Sequence, residues 1–455
     1  MFITRIISKG LLLIPTLALL SPFGFGAESA KGTLSLSEAV GEAVNQSPEV
    51  LQAEADTEFA SWGRLEALSA HLPHLSANGE HLFSAQYMNI NVKFGGAAIV
   101  FPAGVPQTVA TLDASLLVFD GFSSINRYRA SLLENEGAQL RLSRARFQIE
   151  KEVEARFYQA LASKSLLEVA DQNIKSLKEH LDLAQAMERT GYSKRFDVLR
   201  IEAQLEEAQV ERLLAADNET LARRALSRAM AMTNDTRPLV GQLPTPQANA
   251  IRPDLSLEVS QRADLEAAQK HEQAVDKLSL AAATFWSPSV SLFAQKMFYK
   301  FGDFDPAILP NTSFQDAYSV GVRLSWSLFD GGASLARANK ARALEEKDQQ
   351  ATRAAFLNAP EEFETWKRRF IYNAALYEAR QKTVKKSEES VRLAKLGLKA
   401  GTQTSTEWLD AELELFRARA GLVRAQVDAA EAFLRLELAT GKTLADNHNS
   451  ETGGH

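Results

Sequence analysis

The chain has 455 residues, a formal net charge of −6 and no cysteine. The lack of cysteine excludes disulfides, thiolate metal sites and a lipidated N-terminal cysteine. An acidic chain without a basic cluster argues against nucleic acid as a partner. The length exceeds that of one ordinary hydrophobic core, so several modules or an elongated shape are predicted.

Residues 1–27 have the pattern of a cleaved secretory signal peptide. Arg5 and Lys9 are basic, residues 11–20 are apolar, and small residues follow at positions 24–27. A short membrane anchor is the alternative, but the apolar run is about half of a spanning helix. No later segment reaches the roughly 18 consecutive apolar residues of a transmembrane helix, so none is predicted in the exported chain.

The first repeat is predicted at residues 28–237, where the hydrophobic period changes from helical to two and back again. Its predicted elements are two helices within residues 34–71, strands at about residues 73–87 and 108–119, and a long helical hairpin at about residues 123–232. Pro73 ends the helical pattern, and Gly191 lies at the predicted turn of the hairpin.

The second repeat is predicted at residues 255–441, after a proline-rich linker at 238–254. Gly191, Leu199 and Glu202 recur 210 positions later as Gly401, Leu409 and Glu412. The predicted elements are strands at about residues 288–300 and 317–329, a helical hairpin at about residues 333–440, and a disordered tail at residues 442–455. Pro360 lies inside the long helix of this hairpin, and a kink or a local break is expected there.

The predicted strands are long, with one apolar and one polar face. They reach the 9–11 residues that a tilted strand needs to cross a bilayer, which favours membrane strands over a soluble sandwich. The predicted fold class is therefore mainly α with a membrane β-barrel portion, in which a tandem-repeat protomer gives four barrel strands and long coiled helical hairpins. Since known barrels have at least eight strands, two, three or four copies of the chain are compatible with closure.

Several motifs occur in a specific order: the signal peptide, the tandem repeat, Leu-Phe-Asp-Gly-Gly at 328–332, and Ala-Gly-Thr at 400–402 leading to Trp-Leu-Asp-Ala at 408–411. Together they resemble TolC-like outer membrane efflux factors. The resemblance implies a homotrimer that closes as an α/β-barrel duct, embedded in outer membrane lipid of a Gram-negative bacterium with its helices in the periplasm. It also implies efflux or type I secretion, with a periplasmic adaptor and an inner membrane transporter of the RND, ABC or MFS type as partners.

Two other classes of protein fit the sequence less well. A periplasmic coiled-coil adaptor or tether would account for the helices and the signal peptide, but not for four two-faced strands. An enzyme is less compatible, because the histidines form no metal-spaced cluster and nucleophile or phosphate-loop motifs are missing. No catalytic residue, cofactor or metal is predicted.

The candidate gate lies at the start of the returning helices. Glu407 and Asp410 share one helix face, and both also suit a helix N-terminus, which is the simpler interpretation. The resemblance implies that they ring the closed periplasmic aperture; the first repeat offers Asp197 and Arg200 at the equivalent positions.

The resemblance also implies a lock at the closed tip, made in the family by an arginine and a tyrosine. The matching positions here are Gln403 and Leu398, so a different lock is expected, and Lys194, Arg195 or Lys399 are hypothesised as substitutes. Two further groups of site residues are predicted. The hairpin tips for adaptor docking are Gly191, Leu199, Gly401 and Leu409, and the barrel-to-helix corners are Asp120, Gly121, Asp330, Gly331 and Gly332.

Overall fold

A computed structural model describes residues 32–83, 89–102, 106–247, 259–301 and 313–444. The predicted signal peptide and the tail from residue 445 lie outside the described residues. The elements, in chain order, are α1 (Leu36–Gln46), α2 (Pro48–Ser69), β1 (His74–His81), β2 (Asn89–Phe94), β3 (Ala97–Pro102), β4 (Thr108–Phe119), α3 (Ser123–Arg189), α4 (Arg195–Ala229), a 3₁₀ turn (Val259–Gln261), α5 (Ala263–Ala283), β5 (Ser289–Lys300), β6 (Gln315–Ser325), α6 (Ala333–Ala400) and α7 (Ser405–Thr440).

Each repeat is built around one very long helix. α3 has 67 residues and α6 has 68, which corresponds to about 100 Å at 1.5 Å per residue. In the first repeat α1, α2 and α4 pack along α3, and in the second α5 and α7 pack along α6. The short helices before and after each sheet segment therefore lie beside the long helix.

The two repeats are also packed against each other. Helices α5 and α7 of the second repeat contact α3 of the first. A cluster around Val153 and Phe157 forms the core of the first repeat, and a cluster around Phe363 and Leu436 forms that of the second. The long helix α6 continues through Pro360, so the expected local break is wrong. Among the described residues, no helix is both long and apolar enough to cross a membrane.

Four strands form one antiparallel sheet in the order β1-β4-β5-β6. The central pair, β4 and β5, joins the two repeats. Side chains of one face lie opposite each other along a row that includes Leu75, Ala114, Ala294 and Val320. The predicted alternation is therefore in register across all four strands and gives the sheet a mainly apolar face, which is interrupted by the ion pair of Lys296 and Asp316.

The strand ends differ from the prediction. β1 ends at His81, and residues 84–88, where its predicted continuation falls, lie outside the described residues. β6 covers 315–325 instead of the predicted 317–329. It ends early because the chain leaves the ladder at Trp326, whose indole N–H donates to the carbonyl of Trp286 at 3.0 Å. A small β2–β3 hairpin, turning at Gly95 and Gly96 with positive φ, was not predicted.

Candidate functional site

The two corners between sheet and long helix share one local design. Asp120 accepts hydrogen bonds from the Ser124 N–H (2.8 Å) and hydroxyl (3.1 Å), and Asp330 accepts the same pair from Ser334 (2.9 and 2.5 Å). These bonds satisfy donors at the start of each helix.

Two consecutive residues follow each corner aspartate in the left-handed region. They are Gly121 and Phe122 in the first repeat, with φ of 70° and 69°, and Gly331 and Gly332 in the second, with φ of 72° and 87°. Glycine adopts this conformation without steric cost. The predicted corner residues therefore all lie at the reversal from strand to helix.

The hairpin tips are glycine-ended turns followed by capped helices. Gly191 and Gly401 have φ of 79° and 73°. Glu407 accepts the backbone N–H of Thr404 at 2.7 Å, and Asp197 accepts that of Lys194 at 3.3 Å. Glu407 and Asp197 thus cap their own helices, and for Glu407 this agrees with the simpler of its two interpretations; both carboxylates lie at the tip.

Asp410, the third candidate gate acid, is paired with a cation of the other hairpin. Its carboxylate lies 3.2 Å from Arg200 Nη2. These two residues occupy equivalent positions in the two repeats, so the ion pair joins α4 to α7. Exposed pairs of this kind contribute about 0–1 kcal/mol, and the pair balances the charge of Asp410.

Leu398 and Gln403, at the positions of the family's lock, and Arg195, a hypothesised substitute, have the following surroundings. Leu398 is buried in an apolar cluster with Ala394 and Trp408, and the side chain of Gln403 lies against Gly397 of its own hairpin. Arg195 pairs with Glu188, also within its own hairpin, at 3.6 Å. Leu398 therefore makes an apolar contact where the family has a lock residue, Gln403 and Arg195 contact their own hairpins, and a role for Lys194 or Lys399 stays a prediction.

The two tip leucines have different environments. Leu409 is 2 % exposed and packs into a cluster of the first hairpin with Leu177 and Ile201, whereas Leu199 is 49 % exposed. Leu409 therefore contributes to packing between the hairpins and offers no free surface to an adaptor.

A buried polar cluster near the tip was missed by the sequence reasoning. His180 on α3 is fully buried; its Nδ1 lies 3.0 Å from Glu412 Oε2 and its Nε2 lies 2.9 Å from Ser405 Oγ. Ser176 donates to the other oxygen of Glu412 at 2.5 Å, and Trp408 stacks on the imidazole at 3.8 Å between ring centroids. The recurrence of Glu202 as Glu412 marked the position, but no pattern on α3 singled out the histidine.

A second buried cluster joins the same two helices further along. Lys151 Nζ on α3 lies 3.0 Å from Glu437 Oε2 on α7, with both side chains buried, and 3.2 Å from Glu154 Oε1. Burial alone would lower the pKa of Lys151, but the attraction of Glu437 and Glu154 outweighs it and holds that pKa above its ordinary value. We refer to the α3–α7 interface, with its two polar clusters, as the α3–α7 seam. Within the described part of the chain, no group of three or more His, Asp or Glu side chains could hold a metal ion.

These features can be compared with known proteins. The outer membrane efflux protein family matches the chain in two segments, residues 39–232 and 255–442. The chain belongs to this family. It is similar in sequence to the alkaline protease secretion protein AprF of Pseudomonas aeruginosa, with 25 % identity over 348 residues that cover 73 % of this chain and 69 % of AprF.

The fold is similar to those of two solved outer membrane proteins. VceC of Vibrio cholerae has a TM-score of 0.73 and 18 % identity, over 90 % of this chain and 96 % of VceC. The CmeC channel of Campylobacter jejuni has a TM-score of 0.73 and 16 % identity, over 89 % of this chain and 85 % of CmeC.

Family and fold together make the protein an outer membrane channel-tunnel for tripartite efflux or secretion, with its helical part in the periplasm. The predicted fold class and the resemblance to TolC-like factors are confirmed. The family and the fold are those of channel proteins rather than enzymes. A periplasmic tether without a membrane sheet, the alternative interpretation, fits neither.

Proposed function

We propose that three copies of the chain close into one duct, which exports proteins from an ABC-type inner membrane transporter through a periplasmic adaptor. The open four-stranded sheet carries the proposal. β1 and β6 each pair on one side only, and an unpaired strand edge is not stable in hydrocarbon, where each unsatisfied backbone group costs several kcal/mol.

The sheet has the properties that a barrel segment needs. Strands β4, β5 and β6 have 12, 12 and 11 residues, enough for a tilted strand to cross a bilayer. Its apolar face is open, with Leu75 81 % exposed and Val320 74 % exposed. Lipid is the solvent that makes such a face favourable.

The internal duplication supports a particular neighbour for each helix. Ala274 of α5 is 3 % exposed, on the helix that packs against α3. The equivalent residue of α2, 215 positions earlier, is Phe59, which is 80 % exposed. If the same packing repeats around a ring, α2 of one copy lies on α6 of the next and covers Phe59.

The returning helices support the same arrangement. α7 packs on α3 within the chain and buries Leu409, while Leu199 at the equivalent position of α4 is exposed. Repetition of this contact places α4 of one copy on α6 of the next. We call this proposed contact the α4–α6 seam. The adaptor then docks on the turns at Gly191 and Gly401, where Tyr192 is also exposed.

Glu407 is the strongest gate candidate. Asp410 is balanced by Arg200, whereas the capping bonds of Glu407 come from Thr404, an uncharged residue. Three copies would place three such carboxylates at the aperture, and a ring of acids favours cations.

The gate can be tested by recording single channels in planar bilayers. Glu407→Gln keeps the cap geometry and should lower cation selectivity and block by divalent ions, with Asp197→Asn as the matched variant of the other hairpin. Unchanged selectivity and block in Glu407→Gln would remove this residue from the pore.

AprF carries protease secretion in its name, and this supports protein export over small-molecule efflux. The test is to express the chain in a Gram-negative strain that lacks its own channel, together with either a type I protein secretion pair or a drug efflux pair. We expect secreted protein in the medium and no gain in drug resistance. Restored resistance alone would establish efflux instead, and a monomer without conductance would refute the duct.

A further inference from the structure

One charged pair interrupts the apolar face of the sheet, the face that meets lipid in the proposed barrel. Lys296 of β5 and Asp316 of β6 form an ion pair there, and their side chains are 38 % and 59 % exposed. A charged side chain on the lipid face costs most at the middle of a bilayer and least near its interfaces. The height of the pair in the membrane therefore decides what it can bind.

The sheet places this pair near the outer side of the membrane. β5 follows the periplasmic helix α5 and ends at Lys300, so rising residue numbers along β5 approach the cell exterior. Tyr318 lies opposite Lys296, eight residues along the chain from Trp326 at the periplasmic end of β6. Eight residues of a strand tilted by about 40° rise roughly 20 Å, and the apolar band of such barrels is about 25 Å tall. Lys296 and Tyr318 therefore lie close to the outer edge of the band.

The lysine side chain extends further outward than its own backbone. Lys296 Nζ contacts the carboxylate of Asp316 and lies 5.5 Å from the centroid of the Phe298 ring. Phe298 and Asp316 are paired residues that lie two positions closer to the cell exterior than Lys296 and Tyr318. Long basic side chains near a membrane surface extend in this way, which keeps the stem in apolar surroundings and the charge among the headgroups. The ammonium group is therefore at the level of the outer headgroups.

The equivalent hairpin of the first repeat has an uncharged contact in the same place. Lys296 and Tyr318 correspond to His81 and Thr108, which also lie opposite each other. His81 Nδ1 lies 2.8 Å from Thr108 Oγ1, a contact that requires no charge. Asp316 corresponds to Pro106. A charge is therefore not needed to build the sheet at this height, and the pair of Lys296 and Asp316 is a feature of the second repeat.

We propose that Lys296 and Tyr318 bind the phosphate of a lipid in the outer leaflet, with Asp316 as the internal counter-ion that holds the ammonium at this height. An ammonium has three N–H donors, so the contact with Asp316 leaves donors for phosphate oxygens. Tyr318 is 79 % exposed and adds a hydroxyl donor. The phosphorylated lipid of a Gram-negative outer leaflet is lipopolysaccharide, so the proposed ligand is its phosphorylated lipid A. This inference rests on the proposed barrel.

Retention of lipid by the assembled protein can test the inference. The full chain is placed in nanodiscs of phosphatidylcholine and diphosphoryl lipid A and extracted again in mild detergent, and the lipid A bound per protein is measured by mass spectrometry. Lys296→Gln should retain about fivefold less lipid A than the wild type, the effect of one basic residue near an anionic surface. Lys296→Arg and His81→Gln, the matched variant of the first repeat, should retain the wild-type amount. Equal retention by Lys296→Gln and the wild type would overturn the inference.

The identity of the ligand can be tested on the wild type alone, so this arm does not depend on the folding of a variant. Lipid A from which both phosphates have been removed should be retained about as poorly as diphosphoryl lipid A is by Lys296→Gln. Equal retention of the two forms would show that acyl chains hold the lipid and would overturn a phosphate site. Phosphatidylglycerol retained as well as diphosphoryl lipid A would overturn lipid A as the ligand.

Conductance in planar bilayers separates this inference from the proposed duct. Lys296→Gln should conduct like the wild type, because the side chain lies on the lipid face and not in the lumen. Normal conductance together with unchanged retention of lipid A would refute the lipid site and leave the duct standing. A wild-type protein that neither conducts nor forms trimers would refute the duct, and the lipid site would fail with it.

Discussion

The two repeats of this chain share their landmarks but not the surroundings of those landmarks. Leu409 and Glu412 are buried against the first repeat, whereas Leu199 and Glu202, at the same positions of the other hairpin, are not. A duplicated chain that closes a ring has two kinds of seam, one inside the protomer and one between copies. Equivalent positions of the two repeats then face equivalent helices. Within a single chain, however, only the seam inside the protomer is formed.

Where the repeats do agree, the interactions are local. The corner aspartates, Asp120 and Asp330, bind a serine four residues later in both repeats. The tip acids Asp197 and Glu407 accept the backbone N–H three residues earlier. Short-range chemistry has therefore been kept in both repeats, while long-range contacts have diverged with the seam that each repeat forms.

The largest expected difference between the repeats is at the end of the α3–α7 seam that lies farthest from the hairpin tips. Lys151→Met removes the cation that faces the buried carboxylate of Glu437, and loss of one partner of a buried pair costs about 3–5 kcal/mol. The equivalent position in α6 is Glu361, which is exposed, so Glu361→Gln should change stability by less than about 0.5 kcal/mol. Thermal unfolding of both variants in detergent, followed by circular dichroism at 222 nm, measures the difference.

A second variant sharpens this result. Lys151→Met/Glu437→Leu replaces both charges with apolar groups and should recover part of the lost stability, because Glu437 is no longer an unpaired buried charge although Glu154 still loses its cation. If Lys151→Met and Glu361→Gln shift the midpoint equally, the seam does not depend on this ion pair.

The corners offer a smaller contrast. A methyl group on Gly121 would lie 2.5 Å from Ser287 Cβ, whereas one on Gly331 would meet nothing within 4 Å. Both substitutions to alanine carry about 1–2 kcal/mol for the left-handed backbone, and Gly121→Ala adds about 1–3 kcal/mol for overpacking. Chemical unfolding should rank Gly121→Ala as the less stable variant.

The contact with Ser287 accounts for that ranking. Gly121→Ala/Ser287→Gly should therefore approach the stability of Gly331→Ala, after allowance for the change at Ser287 alone. Equal stabilities of the two single variants would mean that backbone conformation alone determines the need for glycine at the corners.

Much of the fold could be predicted because its signals are local and repeated. A change of period from helix to strand at Pro73, and more than 60 residues of helix after each corner, leave few alternative architectures. The pairing of β4 with β5 and the packing of α5 and α7 on α3 could not be predicted, because an amphipathic pattern identifies a buried face but not its partner.

The candidate site was less predictable for the same reason. The spacing placed Glu407 and Asp410 on one helix face and the family resemblance suggested their role at the aperture, but the ion pair between Asp410 and Arg200 depends on how two hairpins meet. His180 is a single histidine on a long helix, and nothing in its neighbourhood along the chain predicts a partner 232 residues away. Gly95 and Gly96 did carry the signal of a tight hairpin turn, and that signal was overlooked.

The smallest expected contrast concerns two arginine-held carboxylates, one beside each end of the linker between the repeats. Asp235 accepts hydrogen bonds from the N–H and Nε of Arg237, at 2.9 and 2.8 Å, and Asp264 accepts Arg262 Nη2 at 2.7 Å. Burial alone would raise the pKa of each aspartate, but the arginine outweighs it and holds both pKa values below the ordinary value.

A lowered carboxyl pKa stabilises the fold above the ordinary aspartate value of about 3.9, and this stabilisation is lost as the pH falls through the lower, folded-state pKa. The unfolding midpoint of the wild type should therefore be steady between neutral pH and about pH 4 and fall at lower pH. Asp235→Asn should cost about 1.5–3 kcal/mol at neutral pH, since hydrogen bonds to charged groups contribute that much. It should also make the loss of stability with falling pH less steep, because one carboxyl with a lowered pKa has been removed. Asp264→Asn should cost less, because the Asp264 side chain is 35 % exposed and that of Asp235 only 9 %. If the unfolding midpoint of Asp235→Asn falls below pH 4 as steeply as that of the wild type, protonation of other carboxyls, and not of Asp235, unfolds the first repeat.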